Sequence, residues 1–258
     1  RLGLDQDYFA EKGQMPTRHT LDQVSQKHPL LFTRACGHVS TCNTLALQKA
    51  GVWDHVPQVE GGQLELEPDG RPNGILLESS AKQVVEKAIA PSMSEEQMER
   101  ALEAAMKYAS SKGLTSVQTN DVSGPDYDAI LSVYDKLLHQ RQSLRVYMQC
   151  CLMDPALFEK FLSEGHCTGK GDQWLKIGPL KLFTDGSLGG RTALMRQDYA
   201  DEPGTRGIST LSQQDLDKLI QIAEQNGMQV AIHAIGDKAI EMCLDSYEKA
   251  LDGRPNQN

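Results

Sequence analysis

Two residues with reactive side chains lie inside short apolar runs, where such side chains are unusual. Lys181 lies in KIGPLKLFTDG and His233 in MQVAIHAIGD, and each run ends at Gly or Asp, as a buried parallel strand does before a loop. Desolvating an ammonium is costly, so a buried lysine can lose its charge and act as a nucleophile or a ligand. A histidine on a neighbouring strand can bind a metal or act as a base. Each residue alone fits a structural role better, but together they predict a catalytic or metal site.

The elements that position these two residues alternate regularly between helix and strand. From about residue 92 the apolar spacing predicts helices that end at glycines, and it predicts strands that begin near residues 114, 144, 177 and 228. Such alternation is typical of a parallel sheet with right-handed crossover connections. We therefore assign residues 81–258 to βα units.

Residues 1–80 follow a different pattern, and we interpret them as a mixed α/β insertion beside the main sheet. Residues 29–34 predict a short strand, and CGHVSTCNTLALQKAG predicts a loop followed by a short helix. Residues 61–78 predict a β-hairpin, because Leu64 and Leu66 alternate with glutamates before a Pro-Asp-Gly turn.

The overall composition narrows the classes of partner. The 258 residues are 39% hydrophobic and 24% charged, which is ordinary for a soluble globular protein. The net charge is -9 and no Lys/Arg run occurs, so nucleic acid and anionic membranes are not expected partners. The opening residues do not have the pattern of a signal peptide. Six scattered cysteines without a C-x-x-C pair predict reduced thiols in a cytoplasmic protein.

Several longer stretches carry a family resemblance that covers nearly the whole chain. They are KLFTDGSLGGRTALM, AIHAIGDKAI, PTRHTLD, CGHVSTCNTLALQKAG, DGRPNGILLE and GLTSVQTND. With these stretches the chain resembles the amidohydrolase superfamily, and within it the YtcJ-like enzymes of amidohydrolase family 3. Such proteins are usually much longer than this chain. They are (β/α)8 barrels with a small β-sandwich, and they hydrolyse C–N bonds of amide-like substrates with one or two bound divalent metal ions.

The resemblance implies a set of metal ligands, of which this chain contains a part. In the family the ligands lie at the ends of barrel strands: H-x-H on strand 1, a carboxylated lysine or an acidic residue on strand 4, histidines on strands 5 and 6, and an aspartate on strand 8. Lys181 matches the strand 4 position and His233 the strand 5 position. No two histidines are two residues apart, so the H-x-H pair is missing. The resemblance therefore implies an α/β fold that is part of a TIM-type (β/α)8 barrel, about strands 2 to 5.

Three further residues are candidate substrate contacts. His38 in CGHV matches a motif that the resemblance places at the pocket, although a loop-capping role fits it equally well. Arg191, in the long loop after the Lys181 strand, could bind a substrate carboxylate through two hydrogen bonds. Asp185 follows Lys181 by four residues and could contact substrate, but a turn cap ahead of Gly186 is the stronger interpretation.

Three functions remain open from the sequence. The first is a metal-dependent amidohydrolase acting on a small molecule with one or two divalent ions, zinc being the expected metal. The second is a barrel enzyme that forms a Schiff base through Lys181, and the third is a non-catalytic barrel domain. With so few of the family's ligands present, we expect the chain by itself to hold little metal and to be inactive. Four strands of a barrel leave open edges, which predict either self-association or further segments that cover them.

Overall fold

The computed structural model describes residues 3–4, 14–90 and 93–254, and the chain divides into two compact units. Unit 1 comprises Arg1–Ser92, Thr184–Leu211 and Ala234–Glu241, and unit 2 comprises Met93–Phe183, Ser212–His233 and Met242–Asn258. Helices and strands occur together in the chain, so the mixed α/β class is confirmed. The predicted division at residue 80 stays a prediction.

Unit 1 is built on a four-stranded antiparallel sheet with the strand order β1-β2-β4-β3. Its elements are α1 (Arg18–Val24), β1 (Leu31–Thr33), β2 (Val39–Cys42), α2 (Thr44–Lys49), β3 (Gln63–Leu66), β4 (Pro72–Leu77) and α3 (Glu78–Ile89). The predicted hairpin is confirmed, because β3 pairs antiparallel with β4. The predicted first strand and short helix are confirmed as β1 and α2.

The loop predicted between β1 and α2 is wrong for Val39–Cys42, which form β2. These residues, VSTC, have no apolar alternation, yet all four are buried. The strand lies in the middle of the sheet, where Thr41 pairs with Phe32 of β1 and with Ile75 of β4. Partners on both sides outweigh the weak strand preference of the sequence.

One face of this sheet packs against α2 and α3. Cys42, Leu64 and Leu76 from the strands join Leu47 of α2 and Val85 of α3 in one buried cluster. Removal of this apolar surface from water favours the folded state. The cluster holds β2 against β4, and therefore fixes the position of the residues at the ends of these two strands.

Asn43, the residue before α2, is expected to be important for the stability of unit 1. It is fully buried, and its Oδ1 accepts from Leu30 N at 2.9 Å and from Ala46 N at 3.1 Å. Its Nδ2 donates to the carbonyl oxygens of Ser25 and His28. Asn43→Ala should lower the free energy of unfolding by about 2 kcal/mol, because it leaves four backbone groups without this partner. Urea unfolding would measure the loss. A loss no larger than that of Ser94→Ala, an exposed helix cap, would contradict the prediction.

Unit 2 is built on a four-stranded parallel sheet with the strand order β5-β6-β7-β8. Its elements are α4 (Glu95–Ser111), β5 (Ser116–Val122), α5 (Tyr127–Arg141), β6 (Arg145–Cys150), α6 (Pro155–Ser163), β7 (Leu175–Phe183), α7 (Gln213–Gln225), β8 (Val230–His233) and the part of α8 (Asp237–Leu251) from Met242 onwards. All four predicted strands and their parallel pairing are confirmed. A closed barrel is not seen among the described residues.

The two faces of the parallel sheet differ in polarity. Met148, Leu180 and Leu182 on one face are fully buried. Gln149 and Lys181 alternate with these residues along their strands, so they lie on the other face. That face is polar and partly exposed: Gln149 Nε2 donates to Gln118 Oε1 at 2.6 Å. Parallel sheets are usually covered on both faces. The partly exposed face of the parallel sheet is therefore the face that carries these polar groups of unit 2.

No helix in the described ranges of the chain is both long and apolar enough to cross a bilayer. All six cysteines are free thiols, as predicted.

Candidate functional site

Lys181 and His233 lie on the same face of two adjacent strands in unit 2. The register pairs Lys181 with Ala231 and Phe183 with His233, and residues two apart on a strand share a face. The ring centroids of Phe183 and His233 are 5.4 Å apart. The Nζ atom of Lys181 lies 4.1 Å from the centroid of the Phe183 ring and donates to the carbonyl oxygen of Leu182 at 3.0 Å. The sequence pattern thus brings these two predicted residues together at the carboxyl ends of parallel strands, where parallel α/β folds carry their sites.

The surroundings of Lys181 make its ammonium group easier to deprotonate than that of an exposed lysine. Burial lowers the pKa of Lys181, and the nearby thiols of Cys151 and Cys243 only partly oppose this effect. No carboxylate among the described residues of unit 2 forms an ion pair with it. A neutral Nζ atom has a lone pair, so it can act as a nucleophile or reach a metal ion.

One other group in unit 2 has the composition of a metal site. Asp128, Glu164 and His166 have ligand atoms within 4.8 Å of one another, and no other described His, Cys, Asp or Glu residues form such a group. Lys160 Nζ pairs with Glu164 Oε1 at 2.7 Å, and the Tyr127 hydroxyl donates to Glu164 as well. Both acidic side chains are exposed. This group does not include the predicted residues Lys181 and His233.

In unit 1 the predicted residue His38, which is partly buried, forms a pair with the buried Glu78. His38 Nδ1 lies 2.8 Å from Glu78 Oε2, and the two side chains are 14% and 4% exposed. The pairing of β2 with β4 sets Val39 opposite Leu77, which brings the residues next to them together. The hydrogen bond that His38 donates to Glu78 raises the pKa of His38 against the effect of burial, and the charges of Glu78, Cys36 and Asp185 act in the same direction.

The sequence does not single out Glu78 as a site residue, although Glu78 ends the stretch DGRPNGILLE. The feature of the sequence that could have indicated Glu78 is a single carboxylate directly after an apolar strand. Its partner His38 lies 40 residues earlier. Such a pairing cannot be derived from local spacing. Glu78 also has a φ of 67°, a conformation that residues other than glycine seldom adopt.

Cys36 lies two residues before His38 and has a polar environment. Burial disfavours the thiolate, but hydrogen bonds from Ser187 and Arg34 outweigh burial and lower the pKa of Cys36. The backbone N–H of His38 also donates to the Cys36 sulfur at 3.5 Å. Polar groups of two segments that are distant in sequence therefore meet beside the His38–Glu78 pair.

Asp185 is fully buried and bonds to the backbone of two loops. Its carboxylate accepts from Leu194 N at 2.9 Å, from Ile235 N at 3.0 Å and from Gly236 N at 2.7 Å. These donors lie 9, 50 and 51 residues further along the chain. The residue therefore connects distant loops, which a local turn cap does not. Its contact with substrate stays a prediction.

Arg191 lines a polar cavity of about 330 Å³ in unit 1, together with Arg34, Glu65 and Glu202. Its guanidinium is already bonded, because Nε donates to Asp201 Oδ1 at 3.1 Å and Nη1 donates to the carbonyl of Leu188 at 3.0 Å. A substrate carboxylate would have to compete with Asp201 for this group. The predicted role of Arg191 in substrate binding stays a prediction.

Comparison with known proteins gives one family. The sequence profile described as "Amidohydrolase family" matches residues 2–258. The chain is 34% identical to the putative amidohydrolase YtcJ of Bacillus subtilis over 90% of this chain and 43% of that protein. It is 32% identical to the protein LONG AFTER FAR-RED 3 of Arabidopsis thaliana over 95% of this chain and 42% of that protein. It is 27% identical to an N-substituted formamide deformylase of Arthrobacter pascens over 90% of this chain and 43% of that protein.

Solved structures agree with these relatives. An uncharacterized metal-dependent hydrolase from Pyrococcus horikoshii matches with a TM-score of 0.63 and 30% identity, over 96% of this chain and 46% of that chain. One from Pyrococcus furiosus matches with a TM-score of 0.60 and 28% identity, over 96% of this chain and 48% of that chain. The chain thus spans less than half the length of each of these proteins.

Proposed function

The chain belongs to the amidohydrolase family, and from this premise we propose that it is the central part of a longer metal-dependent hydrolase. We propose that the longer protein cleaves the C–N bond of an amide-like small molecule. We further propose that the parallel sheet of unit 2 is part of a (β/α)8 barrel, with β5 to β8 as its strands 2 to 5. The observation that supports this function best is the placement of Lys181 and His233 on one face at the carboxyl ends of adjacent parallel strands.

The residues of this face suit a divalent metal ion, for which we propose zinc. His233 offers an imidazole nitrogen, and Lys181 offers an amine whose lowered pKa favours the neutral form that can bind or react with carbon dioxide to give a carbamate. A bound ion would lower the pKa of a water molecule and polarise a carbonyl group. The remaining ligands would come from parts of the longer protein. We propose His38, Asp185 and Arg191 as substrate contacts, as the sequence predicts.

The proposed function is tested on the full-length protein purified without chelator. We expect bound divalent metal and hydrolysis of an amide, with N-substituted formamides as the first substrates because one relative bears that activity in its name. Lys181→Ala and His233→Ala should weaken metal binding by at least about tenfold and reduce hydrolysis in parallel. His139→Ala serves as the control, because His139 is exposed and pairs with Asp172 in another part of unit 2. Variants that keep both metal and activity would refute the assignment of these two ligands.

The chain of 258 residues, studied alone, is expected to hold almost no zinc and to hydrolyse nothing. Elemental analysis of metal per chain measures this directly. One or two tightly bound zinc ions would show that the ligands are contained in this chain, and the search would then turn to His19, His28, His38 and His55. A full-length protein without metal and without activity would favour the non-catalytic alternative.

A second candidate function rests on the lowered pKa of Lys181. A neutral amine can attack a carbonyl compound and form a Schiff base, which requires no metal. Borohydride trapping with a carbonyl substrate would leave a stable mass increase on Lys181. Trapping in the wild type and none in Lys181→Ala would favour this function over metal-dependent hydrolysis.

We also propose a small-molecule substrate, no nucleic-acid or membrane partner, and a cytoplasmic location. The end strands β5 and β8 each have a neighbour on one side only within the described sheet. Native mass spectrometry of the chain distinguishes self-association along these edges from a monomer that needs further segments.

A further inference from the structure

The His38–Glu78 pair has features of a built active-site element and not of an ordinary surface pair. The 2.8 Å contact between Nδ1 and Oε2 is nearly enclosed, since Glu78 is 4% exposed. The backbone adds a second link, because Glu78 N donates to the carbonyl oxygen of His38 at 2.7 Å. Burial of a carboxylate is tolerated when a positive group and hydrogen bonds accompany it.

The backbone of Glu78 is strained at the junction where β4 passes directly into α3. Its φ of 67° lies in the left-handed region, which is unfavourable for a residue other than glycine. A glycine would adopt this conformation without strain. Strained residues of this kind are concentrated at functional sites. A glycine at position 78 would relieve the strain but would lack the carboxylate side chain.

The second carboxylate oxygen points to the same conclusion. Glu78 Oε1 is buried and has no hydrogen-bond partner among the described residues. It packs against Gly186, where an added Cβ atom would lie 1.9 Å from it. The carboxylate therefore fits its position because residue 186 has no side chain. Among the described residues, the His38 ring is the side chain that hydrogen-bonds the Glu78 carboxylate.

We propose that Glu78 is a positioning residue of the active site, which holds His38 as a cation in one orientation. Because an ionised carboxylate only accepts, Nδ1–H is directed to Glu78, and any contact of the ring with substrate is made through Nε2–H. Such a donor recognises a carbonyl or carboxylate oxygen of an amide-like substrate. The inference rests on the proposed function. It assigns to Glu78 a role through His38 and no contact with the substrate.

Because Glu78 acts by holding His38 as a cation, the contribution of the pair to stability depends on pH. Among the groups that act on its charge, Glu78, Cys36 and Asp185 favour the cation, whereas burial opposes it. The raised pKa means that the cation persists in the folded protein above the usual histidine value of about 6.5 and is lost as the pH rises further. The stability from the pair is fully present below about pH 6.5 and is lost as the pH rises through the raised pKa of His38.

The first test is a histidine NMR titration of this chain. In the wild type, the Cε1–H resonance of His38 should titrate at a higher pH than that of an ordinary histidine. Its nitrogen shifts should report both ring nitrogens protonated on the acidic side of this titration. In Glu78→Gln, which keeps the shape, the titration should move to lower pH. Glu78→Asp keeps the charge and should retain part of the shift. Equal titration curves in the wild type and Glu78→Gln would overturn the inference.

The second test uses the full-length protein with bound metal and an N-substituted formamide. Glu78→Gln should lower kcat/KM about 10- to 100-fold on the alkaline side of the pH profile and move the alkaline limb to lower pH. His38→Ala should cause a similar loss, and the double variant should lose no more than the larger single loss, since both act through one group. Glu67→Gln is the matched control, because Glu67 pairs with the exposed His19 in the same unit.

The outcomes of the second test are distinct. Additive losses, or an alkaline limb that stays in place in Glu78→Gln, would show a merely structural role and overturn the inference while the proposed function stands. A wild-type protein that hydrolyses no amide refutes the proposed function. The NMR titration then decides alone whether Glu78 holds His38 as a cation.

Discussion

Replacing Asp185 by alanine is expected to lower the free energy of unfolding by about 3–5 kcal/mol. The carboxylate is fully buried and accepts hydrogen bonds from the backbone N–H groups of Leu194, Ile235 and Gly236. Alanine offers no acceptor, so all three donors lose this partner, and each buried donor left unsatisfied costs about 1–3 kcal/mol. Urea unfolding measures the total, and hydrogen exchange at these three amides shows whether the loss is local.

The matched control for Asp185 is Asp237→Ala. Asp237 also accepts from two backbone N–H groups, of Arg196 and Lys238, but its side chain is exposed, so water can replace it. We expect a loss of about 1 kcal/mol or less for this variant. Asp185→Asn should cause a loss in free energy of unfolding between those of Asp185→Ala and Asp237→Ala. The asparagine amide keeps one accepting oxygen, but its NH2 group would face backbone N–H groups that also donate. Equal losses for Asp185→Ala and Asp237→Ala would contradict the structural role of Asp185.

Replacing Gly236 by alanine is expected to cost about 3 kcal/mol or more. An added Cβ atom would lie 1.8 Å from the carbonyl oxygen of Leu194, 2.3 Å from its carbonyl carbon and 2.7 Å from its nitrogen. These are backbone atoms, so no side-chain rotation can relieve the overlap. The displacement would also stretch the 2.7 Å hydrogen bond from Gly236 N to Asp185. The expected result is a large fall in melting temperature, with faster proteolysis within residues 184–211 and 234–241.

Gly124 is the matched control for this substitution. An added Cβ atom at Gly124 meets nothing within 4 Å, and its φ lies outside the left-handed region. Gly124→Ala should therefore change the free energy of unfolding by no more than about 0.5 kcal/mol. If Gly236→Ala were as harmless as Gly124→Ala, the close approach of the two loops would be refuted.

The sequence predicts the regular parts of this fold well, because their signals are local. The four strands of unit 2 follow from short apolar runs and from the glycines that end the helices between them. Strand β2 is missed because its identity depends on neighbours on both sides and not on its own residues.

The candidate site follows from the sequence only in part. The common face of Lys181 and His233 could be predicted, since alternation along parallel strands determines it. The role of Asp185 as an acceptor for residues 194, 235 and 236, and the pairing of Glu78 with His38, involve partners far apart in the chain. Local spacing contains no information on such contacts. The left-handed conformation of Glu78 is also a tertiary effect, because the residue type gives no reason to expect it.

The composition of unit 1 from three separate chain segments has a consequence for biosynthesis. The segment that contains Asp185 is made after more than 90 intervening residues, and its partners at 235 and 236 are made later still. A ribosome that has released residues 1–92 has therefore exposed the antiparallel sheet without the loops that complete its unit. Native contacts between segments so distant in sequence form slowly, and partly folded chains with exposed strands tend to aggregate. Arrest of translation before residue 236 should yield nascent chains that remain protease-sensitive and associate with chaperones, whereas arrest far enough beyond it to clear the exit tunnel should allow unit 1 to close.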